Sequence, residues 1–113
     1  MKRDGSSQNQ RLPNSRRDAS TSRELSEKQI EKAVTRFFPE ILALKTHVRA
    51  WPDHIFFFPD GVAVFMEFKR SGKALSVHQR AAFETLKDLG FPVYLADDID
   101  QGIEILRSYL VRS

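Results

Sequence analysis

There is no cysteine in this chain, which excludes a disulfide framework and any thiolate-bound zinc. Long apolar runs are also missing. None approaches the roughly 20 residues that a membrane-spanning helix needs, so no membrane partner is expected. The first 23 residues lack the apolar stretch of about 7–15 residues that marks a secretion signal. They lack apolar periodicity as well: Met1, Leu12 and Ala19 stand alone among Ser, Asn, Gln and Arg. Such a segment cannot bury enough apolar surface to offset its ordering entropy. We therefore expect a disordered basic tail over 1–23 and one folded domain over 24–113. No helix-turn-helix or zinc module is present to read a base sequence.

Charge divides along the same boundary. The tail holds six Lys or Arg and two Asp, and the rest holds twelve basic and thirteen acidic residues. The positive charge of the chain is thus a property of its tail. A basic arm suits weak, salt-dependent attraction to nucleic acid, and the alternative is a solvated leader.

The order of elements reads α-β-β-β-α-β-α. Ser26 and Gln29 form a capping-box pair for a helix over about 27–38, with Ile30, Val34, Phe37 and Ile41 on one face and Pro39 ending it. Residues 43–51 suit a first strand. Two stronger strands, 54–58 and 62–69, flank the turn signal Pro59-Asp60-Gly61. Ser76 caps a helix to about 89, with Ala82, Phe83, Leu86 and Leu89 as its apolar set. Gly90 occupies the position after it, where glycine is favoured. Residues 91–96 are apolar almost throughout, as in a strand covered on both faces. A last helix runs from Asp97-Asp98 to about 110, with Ile99, Ile103, Leu106 and Leu110 inward. The expected fold is α/β, a mixed sheet flanked by helices.

The stretch W-P-D-H-I-F-F-F-P-D-G-V-A-V-F-M-E-F-K, residues 51–69, carries the chemistry. Asp53 precedes the first strand of the hairpin, and Glu67 and Lys69 close the second. Side chains alternate along a strand, so Glu67 and Lys69 share a face. With Asp60 and Gly61 as a two-residue turn, Asp53 faces position 68, diagonal to both. A bulged turn shifts the register by one and sets Asp53 opposite 67 or 69. Either brings Asp53 within reach of a shared ion. Two carboxylates suit Mg²⁺ or Mn²⁺, which prefer oxygen ligands and keep several waters. The carbonyl of Phe68 offers a further oxygen. A lysine beside the ion can orient or deprotonate water, or offset charge on a reacting phosphate. Glu67 also interrupts an otherwise apolar run, and a buried charge is costly unless paired or metal-bound. Asp60 belongs to the turn and is set aside. His47, His54 and His78 show no ligand spacing and read as ordinary surface or core residues. Trp51 reads as core or as an exposed stacking surface. Arg70, Lys73 and Arg80 follow the motif and are candidate phosphate contacts.

M-E-F-K-R-S-G-K-A-L-S-V-H-Q-R, together with Pro52-Asp53, resembles the VRR-NUC group of the PD-(D/E)xK nuclease superfamily. The matching positions are Pro52-Asp53, Glu67-Phe68-Lys69, Gly72 and the helix start Leu75-Ser76-Val77-His78-Gln79. Glu27-Lys28-Gln29-Ile30 and the strand from Gly90 to Leu95 add to the match, which spans about 27–110. The resemblance implies a restriction-endonuclease-like αβββαβ core. It implies hydrolysis of DNA phosphodiester bonds with Mg²⁺ or Mn²⁺ as cofactor. Asp53, Glu67 and Lys69 would form the catalytic core, with Glu27 completing the metal site and Gln79 beside it. It also implies a small homodimer with branched DNA such as a Holliday junction as substrate, and the expected location is the cytoplasm of a bacterial or phage-infected cell. Many relatives carry Gly before the Pro-Asp pair, where this chain has Ala50-Trp51. Periodicity alone leaves Glu27 and Glu31 as alternatives for the helix carboxylate, since they flank the apolar stripe on opposite sides. Two other functions stay open. One is a restriction-like or general nuclease of a mobile element or defence system. The other is a non-catalytic nucleic-acid-binding module.

Overall fold

Local capping sets the first element. In the computed structural model, which describes residues 24–112, helix α1 spans Glu27–Phe37. Ser26 Oγ accepts from the Gln29 backbone N–H at 3.1 Å, and Gln29 Oε1 accepts from that of Ser26 at 2.8 Å. Ile30 and Val34 bury the inner face. The sequence pattern also assigns Phe37 to that face, but Phe37 is 50% exposed and Phe38 is buried in its place. Phe38 leaves helical geometry just before Pro39, at φ −123° and ψ 74°, and its ring turns onto the core. Phe37 packs edge-on against Phe38 and lies beneath the Arg107 guanidinium. The basic tail expected over 1–23 lies outside the described residues.

Four strands follow in the spatial order β1-β2-β3-β4. Strands β1 (Leu42–Lys45), β2 (His54–Phe58) and β3 (Val62–Phe68) pair antiparallel, and β4 (Val93–Ala96) runs parallel to β3. The expected strand over 43–51 is cut short at Lys45. Thr46 explains this: its N–H reaches the Asp53 carbonyl at 2.9 Å and its hydroxyl reaches that of Pro52 at 2.7 Å. Residues 47–51 therefore bulge outward as a loop, with His47 and Ala50 at φ 56° and 67°. Ala50 thus adopts a left-handed backbone conformation that glycine takes without steric cost.

The β2–β3 turn decides the register. Phe58 pairs with Val62, so Pro59, Asp60 and Gly61 form a three-residue turn, with Asp60 at φ 66° and Gly61 at φ 75°. His54 pairs with Met66. This is the shifted register, and it sets Asp53 opposite Glu67.

Helix α2 (Val77–Asp88) repeats the capping box with Ser76 and Gln79. It ends in a glycine-assisted cap, Gly90 N–H to Lys87 and Phe91 N–H to Leu86. Leu89 lies past the last turn and is exposed rather than apolar core. Helix α3 (Ile99–Arg112) packs on α1, and Gly102 permits the approach: a Cβ there would stand 2.8 Å from Val34 Cγ2. Leu106 is fully buried on that helix, with Ile99, Ile103 and Leu110 packed around it.

The sheet has two unequal faces. Phe56, Phe58, Val64, Met66, Phe68 and Ala96 pack with α1 and α3 into the main core. On the other face Phe83, Leu86 and Val93 form a smaller cluster with Phe65 and Leu95. Strand β4 is thus covered on both sides, as its apolar composition predicts. The sheet is mixed and lies between helices, as expected for a restriction-endonuclease-like core.

Candidate active site

The ends of β2 and β3 bring the acidic residues together. Asp53 is the residue before β2, and Glu67 is the penultimate residue of β3. Lys69 follows that strand, half-buried, with its backbone N–H bonded to the Ala96 carbonyl at 3.0 Å. Phe68, between them, buries its ring in the main core, which leaves only its carbonyl to face a ligand. Helix α2 then supplies Gln79, whose Nε2 donates to Glu67 Oε2 at 3.3 Å. The same side chain closes the capping box through Oε1. Its two ends therefore serve the helix and the site at once.

Glu67 is 6% exposed. Burial first, and the nearby charge of Asp53 second, push its carboxyl from the usual 4.5 up to about 7. The Lys69 ammonium and the Asp53 backbone N–H act in the opposite direction, while Glu27 adds a smaller upward push. Two further carboxylates and one ammonium thus act on Glu67 at this end of the sheet. Glu27 takes part from the first turn of α1.

Glu31, one turn further on, is engaged elsewhere. Its Oε2 lies 3.2 Å from Lys45 Nζ and 3.5 Å from His54 Nε2. His54 Nδ1 in turn lies 3.1 Å from Asp53 Oδ1. Donor atoms of Glu31, Asp53 and His54 all fall within 4.8 Å of one another, an arrangement able to hold a metal ion. The two glutamates of α1 thus differ in their company: Glu27 acts on Glu67, and Glu31 meets His54 and Lys45.

His54 is not the ordinary histidine that its spacing suggests. It is 5% exposed and joins two carboxylates. Strand alternation held the signal. His54 shares a face with Phe56 and Phe58, both core residues, so a titratable ring was bound for the interior.

A groove at the start of α1 is lined by Ser26, Glu27, Lys28, Arg70 and Lys73. Two of the expected phosphate contacts, Arg70 and Lys73, thus meet Glu27, and Lys28 joins them. The loop that carries them is tied down by the Gly72 N–H to Asp97 Oδ2 at 3.2 Å. Arg80 is exposed on α2, outside this groove. Trp51 is exposed rather than core: it is 39% accessible, on the loop just before Asp53.

Among solved structures, one described as a VRR_NUC domain superposes with a TM-score of 0.66 at 21% sequence identity. The match covers 75% of this chain and 99% of the other. The chain has the fold of a VRR_NUC domain. No family model matches the sequence, and no curated protein matches it either. The VRR_NUC fold accounts for the mixed sheet and its helices. It leaves the roles of individual side chains to be argued from their chemistry. No helix among the described residues is long and apolar enough to cross a membrane.

Proposed function

We propose that this chain is a nuclease that hydrolyses DNA phosphodiester bonds with the help of Mg²⁺ or Mn²⁺. One observation carries the reading: Glu27, Asp53 and Glu67 share an electrostatic neighbourhood in which Lys69 is the opposing charge. A buried carboxylate beside two others is costly unless a cation balances it, so the residues present fit a divalent ion. Asp53 and Glu67 would hold it, with Glu27 and the Phe68 carbonyl as further oxygen donors. When bound, such an ion lowers the pKa of water and offsets charge on a phosphate.

The chain's own groups supply the rest. Lys69 adds a positive charge where an attacking water and a phosphate oxygen would meet. Gln79 holds the Glu67 carboxylate through its amide. Lys28, Arg70 and Lys73 give the adjoining groove the charge to hold a phosphate backbone. Arg80, nearby in sequence, would extend the same contact.

The substrate is branched DNA in this reading, cut by a homodimer. Leu42, Leu44, Ile55 and Phe57 share the sheet face that α2 leaves open above β1 and β2, since directly paired residues point the same way. Leu42 and Leu44 are 68% and 52% exposed. A second copy covering this patch would set two sites about a two-fold axis, matching the symmetry of a four-way junction.

The test is incubation with labelled junction, flap and linear duplex in Mg²⁺ or Mn²⁺. Junction cleavage that disappears in Asp53→Ala and Lys69→Ala is the expected result. Equal cleavage of all three substrates removes the branched specificity and leaves a general nuclease. Cleavage that survives both substitutions removes the site assignment.

A further inference from the structure

We propose that His54 is a positioning residue that fixes the carboxylate of Asp53 for the cation, with Glu31 bracing its far side. The inference rests on the nuclease reading above and deepens it. Asp53 lies on a loop, half-buried, where its side chain has rotamers to choose from. His54 has none of that freedom. It is held in the ladder opposite Met66, its ring stacks on Phe56, and the Phe68 ring meets its edge.

Each ring nitrogen faces one carboxylate, Nδ1 to Asp53 Oδ1 at 3.1 Å and Nε2 to Glu31 Oε2 at 3.5 Å. A carboxylate can only accept, so the ring donates to Asp53. Glu31 is itself anchored by Lys45. The chain Lys45–Glu31–His54–Asp53 thus runs from the surface to the end of the site. Its effect is to hold one oxygen of Asp53 and leave the other for a ligand. Hydrogen bonds of this kind to metal-holding groups are commonly worth about 10–100-fold in affinity or activity. This arrangement also separates the two helix glutamates: Glu27 acts on Glu67, and Glu31 braces His54.

The full-length chain is titrated with Mn²⁺ alone by calorimetry, and kcat and KM are measured on labelled DNA. His54→Phe fills the space and removes the donor. It is expected to weaken Mn²⁺ binding by about 10–100-fold and to lower kcat with KM for DNA little changed. His54→Asn carries an N–H close to the Nδ1 position and is expected to recover most of both losses. His54→Gln carries its donor toward Glu31 instead and is expected to behave like the Phe variant. It replaces that variant in the comparison should circular dichroism show the Phe form unfolded.

Three outcomes overturn the proposal. One is Mn²⁺ affinity and kcat unchanged in both His54→Phe and His54→Gln. Another is an Asn variant as impaired as the Phe variant. The third is a second equivalent of Mn²⁺ that His54→Asn abolishes, which would make Glu31, Asp53 and His54 a cation site of their own. A parent chain that neither cleaves DNA nor binds Mn²⁺ overturns the nuclease reading itself, whereas an active parent with indifferent His54 variants overturns this inference alone.

Discussion

Asp53 stands across the β2–β3 ladder from Glu67, one step beyond the His54–Met66 pair. The register of the hairpin therefore brings two like charges together. Burial and this neighbour together carry the Glu67 carboxyl up to about 7. The stability of the chain and the chemistry of its site meet in that one group.

The first prediction concerns pH. Glu67 ordinarily titrates near 4.5 and in the fold near 7. Between those values the folded chain keeps a proton that the unfolded chain has released. The stability this group contributes is full below about 4.5 and is lost as pH rises to about 7. Without divalent ions, Glu67→Gln should therefore melt with the parent near pH 4 and above it at pH 8, by about 1–3 kcal/mol. Parallel stability curves across that range would refute the assignment of the raised pKa.

Cations should reverse the cost. A ligand that binds only the folded chain stabilises it by mass action, about 2.7 kcal/mol at a hundred times its dissociation constant. We expect millimolar Mn²⁺ to raise the melting temperature of the parent at pH 8, and to do so far less in Asp53→Asn or Glu67→Gln. Thermal melts with and without MnCl₂ decide this. An equal shift in all three proteins would mean that the ion binds elsewhere.

Ala50 offers a stabilising change. Its φ of 67° lies in the left-handed region, where a side chain costs about 1–2 kcal/mol relative to ordinary backbone. Ala50→Gly removes the clash at some cost in unfolded-state entropy. The expected net gain is about 0.5–1 kcal/mol, with cleavage retained. Chemical denaturation measures it, and a loss of stability would show that the loop gains more from the methyl than from relief of strain.

The open sheet face gives a fourth expectation. Leu44→Glu places a charge among Leu42, Ile55 and Phe57. A homodimer that uses this face should become monomeric in light scattering while its circular dichroism is unchanged. A parent chain that is already monomeric at working concentrations, or a variant that stays dimeric, rules the face out as the interface.

Much of this was legible in the sequence, for local reasons. Ser26-x-x-Gln29 and Ser76-x-x-Gln79 fix two helix starts within four residues each, and both capping boxes form. The hairpin strands flank a turn signal, and the apolar run of β4 matches a strand covered on both faces. Other features depended on distant contacts. Residues 46–51 alternate like a strand, but Thr46 bonds across to Pro52 and Asp53 and turns them into a loop. Phe37 fits the helical stripe, yet Pro39 releases Phe38 into the core instead. Leu89 completes an apolar set on paper and falls beyond the last turn of α2. The link from Glu31 through His54 to Asp53 was the larger omission. Glu31 and His54 are each unremarkable alone, and their meeting with Asp53 exists only once α1 lies against the end of the sheet.

The three-residue turn at Pro59-Asp60-Gly61 has a consequence for the order of folding. Asp53 and Glu67 are fourteen residues apart in sequence, and they are joined by the shortest-range pairing in the sheet. Short loops close at low entropic cost, and a hairpin forms in about 1–10 μs. We therefore expect the two carboxylates to meet early, with Glu27 and Gln79 arriving when their helices dock. Folding kinetics of Val64→Ala, in the hairpin, and Leu86→Ala, in α2, would test this. A larger share of the destabilisation should appear in the folding rate for the first. The reverse would mean that the helices assemble the site and the hairpin follows.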